Sequence, residues 1–514
     1  MIINRFWILV ALMSATIMQA IDGTIVNVSL PHMTSELGAT PDSISWVVTS
    51  YLIGAAVFMP LTGFLRDRLG RRRFLLISIA GFVASSILCG MATTLPEMVA
   101  FRLLQGIFGG MLVPLGQAII IETFPVEKQG RAIAIWAMGT MVAPIMGPTL
   151  GGFLTETLTW LWNFYINLPV GLMSLFLAAR YVPDTPTKQR DMDWIGFLTL
   201  ATAIACLQLV LDRGAEKDWF ESTMICTTTA VAVAAFVGFL WKSLAGSGHP
   251  IFDLTVLKDR NLAASCMIML STGFGVFGTG LLVPLFLENQ LGLPAMDAGL
   301  YLMPRSLMTM ISMGLVGRYA HNFSPRVILF AGMLFLLMSA LALTIVTPQV
   351  SASIIWLPNI LGGIGAGLLF VPLATLAFST VPRHLTSEAS GIYGLMRAIG
   401  QSFGVSLVIT YLNYSTKVHW DGMRSQVTPY NQDIRIFLQH AGQTTHYFFD
   451  PSGLHLNSLG VALMTRLVQQ QSMIKAYVST YWLIAGSFIA MMPLLLLIKP
   501  AKQTAATSVT IGLE

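Results

Sequence analysis

The chain has 514 residues, 55% of them hydrophobic and only 10% charged, with a formal net charge of +5 and a mean hydropathy of +0.71. Soluble domains carry about 25% charged residues, so this composition cannot cover a water-facing surface and describes an integral membrane protein. The basic excess is no nucleic-acid signature, because in such a chain the position of the positive charges matters more than their sum.

The first apolar run, 7–30, exceeds the core of a signal peptide and lacks a clear cleavage site, so it reads as the first retained span. Near its middle, in MQAIDGTIVNVSLP, stands Asp22, with no other Asp, Glu, Lys or Arg between Arg5 and Glu36. A carboxylate in hydrocarbon costs several kcal/mol unless it is protonated, paired or facing water. Further apolar runs at 44–64, 74–94, 97–121, 131–154, 161–181, 194–212, 223–243, 264–287, 298–317, 327–347, 353–379, 391–414 and 479–498 are each long enough to cross a core of roughly 30 Å as a helix. The expected fold is an all-α polytopic protein of fourteen spans, and apolarity all round each run excludes an outer-membrane barrel. Cys89, Cys206, Cys226 and Cys266 all lie in apolar runs, so no disulfide framework is indicated.

Most Lys and Arg residues fall on one side if the N-terminus is inside, above all Arg66, Arg68, Arg71, Arg72 and Arg73 between spans two and three. Both termini are therefore expected in the cytoplasm. A weak repeat relates GFLRDRLGRRRFLL (63–76) to GRYAHNFSPRVILF (317–330), and FPVEKQGRAIAIW (124–136) to VPRHLTSEASGIY (381–393). Two six-helix halves, 1–190 and 263–514, with two inserted spans in 191–262, produce that spacing. The second half includes a long external loop, 415–478. Parallel halves are a transporter architecture with the substrate site between them.

Enzyme signatures fail on context. GFGVFG (273–278) matches a dinucleotide fingerprint but follows no strand, and GQSFG (400–404) matches a nucleophile elbow with no histidine to activate Ser402. The eight histidines lie in loops or at span ends, so no metal site or histidine catalysis is expected in the membrane. GFLRDRLGRRR carries more. Gly63 permits close helix approach, Gly70 a tight turn, and Asp67 among Arg68, Arg71 and Arg72 can bond to a neighbouring helix end as a gating latch. In APIMGPTLGG (143–152), Pro144 and Pro148 each remove a helix hydrogen bond, while Gly147, Gly151 and Gly152 leave a groove for a partner helix.

The arginine-rich segment resembles the cytoplasmic signature of the major facilitator superfamily. With FRLLQGIFGG (101–110), APIMGPTLGG, IDGTIVNVSLP, WNFYINLPVG (162–171) and LDRGAEKDWF (211–220), the chain is similar over nearly its whole length to the fourteen-span drug:proton antiporters of the EmrB/QacA type. The resemblance implies a proton-driven exporter of lipophilic compounds in a bacterial inner membrane, without cofactors and without enzymatic activity. It implies that Arg102 takes part in proton coupling and that the APIMGPTLGG helix restricts leak. The amphipathic stretch 458–482 resembles the loop before the last span of EmrB-type pumps, which work with a periplasmic adaptor and an outer-membrane channel; a simple lid over the external entrance is equally open.

Arg102 lies roughly 9 Å and Asp22 roughly 13 Å from the same face, so the two charges share a depth. Desolvation favours a protonated carboxyl and a nearby arginine the ionised one, so rocking between those environments could load and release a proton at Asp22. Gln19, Asn27, Gln117, Asn163 and Asn167 are polar within spans and are candidates for the substrate cavity, although each can equally bond helix to helix. Arg305, in span ten, is open to a snorkelling, structural or substrate-contact role; facing the cavity, it would favour acidic or electron-rich lipophilic substrates. Arg397, near the cytoplasmic end of span thirteen, can snorkel. The rival readings are an exporter of one metabolite, fatty acid or siderophore, and a non-transporting receptor on the same fold.

Overall fold

The computed structural model describes residues 4–187, 192–245, 254–345, 352–382, 385–427 and 458–498, and among them every regular element is helical. The long helices are α1 Arg5–Glu36, α2 Trp46–Leu69, α3 Arg71–Met91, α4 Leu95–Thr123, α5 Val126–Thr157, α6 Trp162–Tyr181 and α7 Trp194–Arg213. They continue as α8 Thr223–Ala245, α9 Arg260–Asn289, α10 Ala295–Tyr319, α11 Pro325–Ile345, α12 Trp356–Ser379, α13 Thr386–Arg424 and α14 Ser458–Met491. Twelve segments among the described residues are long and apolar enough to cross a membrane. The helices α5 and α10, of 32 and 25 residues, are not among those twelve. Part of the reason in α10 is its charge, since it carries Asp297, Arg305 and Arg318.

Two boundaries differ from the sequence expectation. The amphipathic stretch and the last span are one continuous helix, α14. No proline interrupts that run before Pro493, where a tighter 3₁₀ turn, Met492–Leu497, replaces the α-helix. Likewise α13 continues ten residues past the apolar run to Arg424, since Pro429 is the first proline ahead of it. Residues 428–457, the middle of the expected external loop, lie outside the described residues.

The helices α1 to α6 pack into one bundle and α9 to α14 into a second; α7 lies against both α2 and α13, and α8 packs on α7. In lipid no hydrophobic force drives helices together, so close approach of small residues must supply the contact energy. That device is used where α4 crosses α2 and again where the glycines of α12 meet α10 and α11. A Cβ on Gly110 would lie 2.5 Å from Ala55 Cα, one on Gly54 2.5 Å from the Leu103 carbonyl, and one on Gly106 would overlap the Tyr51 carbonyl.

The two bundles approach one another at the end that carries the arginine cluster. A Cβ on Gly317 of α10 would be 2.6 Å from Ala134 Cβ of α5, and one on Gly391 of α13 2.9 Å from the Met59 carbonyl of α2. Ser390 Oγ donates to the Pro114 carbonyl of α4 at 2.8 Å. A cavity of about 420 Å³, bordered by Arg131 and Arg318, remains between α5 and α10 at this end.

Gly106→Val is expected to force α2 and α4 apart and to destabilise the protein by about 1–3 kcal/mol. Gly23→Ala, where a Cβ meets nothing within 4 Å, should be neutral. Thermal unfolding of the two variants in one detergent checks the contrast.

Candidate functional site

The crossing of α4 over α2 brings a guanidinium to Asp22. Asp22 is 0% and Arg102 1% exposed, and Arg102 Nη1 lies 2.7 Å from Asp22 Oδ2. Gln105 Nε2 and Asn167 Nδ2 each donate to Asp22 Oδ1 at 2.8 Å. The carboxylate thus accepts three hydrogen bonds, from α4 and α6. Arg102 Nη1 also donates to Gln105 Oε1 at 2.6 Å, and its Nε donates to the Val47 carbonyl of α2 at 3.1 Å. Its guanidinium centre sits 4.4 Å from the Tyr51 ring and 5.7 Å from the Phe164 ring, positions that favour a cation over an aromatic face.

Local sequence explains this assembly. Thr94 and Glu97 form a reciprocal cap that starts α4, with Thr94 Oγ1 accepting from the Glu97 N–H at 3.4 Å and Glu97 Oε2 from the Thr94 N–H at 3.3 Å. Arg102 and Gln105, three apart, then share one face of α4. Asn167 is steadied from α3, donating to Ser86 Oγ at 2.9 Å, and Ser86 Oγ donates to the Phe164 carbonyl at 2.8 Å. A buried ion pair survives desolvation only when its remaining donors and acceptors are satisfied, and here five helices satisfy them. Gln105, Tyr51 and Ser86 are the functional residues that sequence reading missed. The spacing RLLQ, an arginine and a glutamine three apart inside an apolar run, is the signal that could have found Gln105.

The other polar candidates divide. Gln19 Nε2 donates to the Tyr51 hydroxyl at 2.9 Å, at the edge of the cluster. Asn27 is exposed one helical turn beyond Gly23, a position with open space beside it. Gln117 is buried in α4. Asn163 is fully enclosed and donates to Ser29 Oγ at 3.0 Å and Thr155 Oγ1 at 2.9 Å, bonding α6 to α1 and α5. Asn167 belongs to the charge cluster. Both asparagines therefore bond helix to helix, the alternative already open to them. Arg305 lies in the second bundle, donating from Nη2 to the Val276 carbonyl at 2.9 Å.

The helix α5 closes on α1 beside Asp22. A Cβ on Gly147 would overlap Thr24 Oγ1, and one on Gly151 would lie 2.8 Å from Ile25 Cγ1. Gly152 is half-buried, and the side chains of Pro144 and Pro148 lie outside the described residues. At the arginine-rich end the latch takes a different form from the one expected. Asp67 Oδ1 pairs with its own neighbour, Arg66 Nη1, at 2.8 Å. The bond to another helix end runs through Glu122 of α4, held by Arg66 Nη2 at 2.5 Å and Arg71 Nη1 at 3.2 Å. Arg71 Nε donates to the Pro183 carbonyl at 2.9 Å and Arg72 to the Ala179 carbonyl, tying α3 to the end of α6. Arg68 is exposed over the Phe64 ring. Gly70 adopts φ +80°, a left-handed turn that lets α2 and α3 run antiparallel. Gly63 meets the second bundle: a Cβ there would be 3.1 Å from Glu388 Cα in the first turn of α13.

Residues 12–405 match the family model of the Major Facilitator Superfamily. The chain belongs to that superfamily. Within it the chain is of the EmrB type: it is 31% identical to the Multidrug export protein EmrB of Haemophilus influenzae, covering 95% of each chain. It is 32% identical to the Fatty acid resistance protein FarB of Neisseria gonorrhoeae, covering 96% of each. Among solved structures, the human organic anion transporter MFSD10 shares the fold with a TM-score of 0.64 at 12% identity, over 96% of this chain and 99% of that one. The proton:xylose symporter XylE shares it with a TM-score of 0.58 at 14% identity, over the same shares. In this EmrB-type facilitator the charge cluster therefore sits inside the first bundle of a transporter fold.

Asp22→Asn and Arg102→Gln each strand one partner of a buried pair and are expected to cost about 3–5 kcal/mol. The double variant should lose less than the sum, with a coupling of about 1–3 kcal/mol. Denaturant unfolding of the four proteins measures the cycle; strict additivity would deny the pair its structural role.

Proposed function

We propose that this chain is a proton-coupled antiporter that exports lipophilic drugs or toxic amphiphiles across a bacterial inner membrane by alternating access. The observation that carries the reading is Asp22, a fully enclosed carboxylate held by donors from two other helices of the first bundle. In the conformation seen, three donors offset its charge. When α1 moves from α4, the carboxylate loses Arg102 and takes a proton, because a lone carboxylate in a medium of low dielectric neutralises itself. Return of Arg102 expels that proton. Substrate would occupy the gap between the bundles in the intervening state, and a gradient rather than a bound cofactor would drive the cycle. The names of the EmrB relatives support export of several drugs, and that of FarB keeps a narrower fatty-acid cargo as the second reading.

Counting α5 and α10 gives fourteen spans: halves 1–190 and 263–514 and an inserted pair in 191–262, with both termini in the cytoplasm by the positive-inside rule. The arginine-rich end is then cytoplasmic, and the contacts of Gly63 with Glu388 and Gly317 with Ala134 support reading this as the outward-facing state. At 39 and 34 residues, α13 and α14 are about 58 and 51 Å long and outrun a core of roughly 30 Å. They form a two-helix stalk on the external side, tied by His419 Nε2 to Ser479 Oγ at 3.0 Å. That stalk supports docking of a periplasmic adaptor leading to an outer-membrane channel, as the resemblance to EmrB-type pumps implies.

Asp22→Asn in proteoliposomes is expected to abolish substrate-driven proton movement while substrate binding stays measurable; normal coupled export by this variant would sink the assignment. Gly63→Val should wedge α2 from α13 and populate the inward-facing state. Spin-label distances across the cytoplasmic ends of α2 and α13 should lengthen by several Å, and unchanged distances would remove Gly63 from the gate.

A further inference from the structure

The second bundle holds two guanidiniums that no carboxylate offsets among the described residues. Arg305 lies ten residues into α10 and Arg397 eleven residues into α13, about 15 and 16 Å along helices that cross a core of roughly 30 Å. Counted from the start of its apolar run at 391, Arg397 is about 9 Å deep on the side of the arginine cluster. Among the described residues neither arginine forms an ion pair. Their electrostatic neighbours are neutral phenols, Tyr481 beside Arg305 and Tyr393 beside Arg397. Both remain half-buried rather than sealed.

The two arginines flank one irregular feature, the π-helical turn Gly273–Phe277 of α9. Arg305 holds the Val276 carbonyl of that turn. The α13 backbone presses on it three and seven residues beyond Arg397: a Cβ on Gly273 would be 2.6 Å from Gly400 Cα, and one on Gly404 2.5 Å from Phe274 Cα. Turns of this kind inside α-helices recur at functional sites. Ser390, Gly394, Arg397 and Gln401 share one face of α13. The lower part of that face touches Pro114 of the first bundle, and Gln401 at its upper part is exposed. Arg397 therefore looks into the gap between the bundles just above their contact.

The repeat sharpens the contrast. Aligning Gly63 with Gly317 sets Tyr51 against Arg305. In the first bundle that position is an aromatic ring beneath an arginine already paired with Asp22. In the second it is the arginine itself, and no acid answers it. An uncompensated guanidinium at this depth calls for an anion from outside the chain.

We propose that Arg305 and Arg397, on either side of the π-helical turn of α9, form an anion subsite that receives the carboxylate of a lipophilic organic acid while its apolar body lies along the gap between the bundles. That the acid is cargo rests on the exporter reading; its binding does not.

Dodecanoate and dodecyltrimethylammonium share a chain length and differ in head-group charge. Equilibrium binding of each radiolabelled probe to the protein in zwitterionic nanodiscs, with empty nanodiscs subtracted, tests the subsite. The native chain should bind dodecanoate at least about tenfold tighter than the cation. Arg305→Gln and Arg397→Gln should each weaken dodecanoate about tenfold or more and leave the cation unchanged or tighter. Dodecanoate affinity unchanged in both variants, a native preference for the cation, or parallel loss of both probes, as a purely structural arginine would give, overturns the proposal. If either glutamine variant does not fold, Arg305→Lys and Arg397→Lys carry the test. They keep the charge but lose the planar fork, so dodecanoate should weaken severalfold with the cation unaffected, and unaltered dodecanoate binding counts against the subsite. Proton-driven efflux is measured separately. Its absence beside arginine-dependent dodecanoate binding would remove the exporter reading and leave the subsite standing.

Discussion

One buried charge organises the first bundle. A carboxylate at the depth of Asp22 needs donors, and the chain supplies them from α4 and α6, with α2 and α3 holding those donors in turn. None of this is possible without the glycines of α4, because Arg102 reaches the Val47 carbonyl and the Tyr51 ring only if α2 and α4 nearly touch. Packing and electrostatics are therefore one constraint here. The small residues set the helix distance, and the helix distance decides whether the ion pair is satisfied or ruinous.

That coupling also suits the cluster to a moving protein. A satisfied buried network has two well-separated states, assembled and broken, and tolerates little between them. The APIMGPTLGG helix closes directly over Thr24 and Ile25 on the same α1 that carries Asp22. At the arginine-rich end, Arg66, Arg71 and Glu122 bind α2, α3 and α4 into one unit, and Gly63 marks where that unit meets the second bundle. That meeting point pairs a glycine of the ionic corner with Glu388, a buried acid in the first turn of α13.

The two bundles differ in electrostatics. The first closes its charge account internally. The second leaves Arg305 and Arg397 without acids among the described residues, next to a turn where α9 departs from regular helix. The insertion α7 spans both, with Gln208 Nε2 donating to Ser402 Oγ of α13 at 2.7 Å and Asp212 accepting from Thr49 of α2. It is a strap across the gap on one side.

Class, helical architecture and the family were legible in the sequence, because they depend on composition, on runs of fixed length and on ordered local motifs. Spacing along one helix predicts depth, since every residue adds about 1.5 Å whatever surrounds it. Which side chains meet was not legible. Gln105 and Ser86 gain their roles from the rotation of α4 and α3 about their axes, and Asn163 and Asn167 proved to bond helices for the same reason. Arg66 bridges Asp67 beside it and Glu122 of α4, and sequence spacing does not show the second of these. The reach of α13 and α14 was hidden because hydropathy reports where lipid begins, while a helix ends only where its backbone is interrupted. Sequence determined what lies at each depth in the membrane. Only the tertiary structure decided what each residue faces, because facing depends on helix rotation and on contacts between residues far apart in the chain.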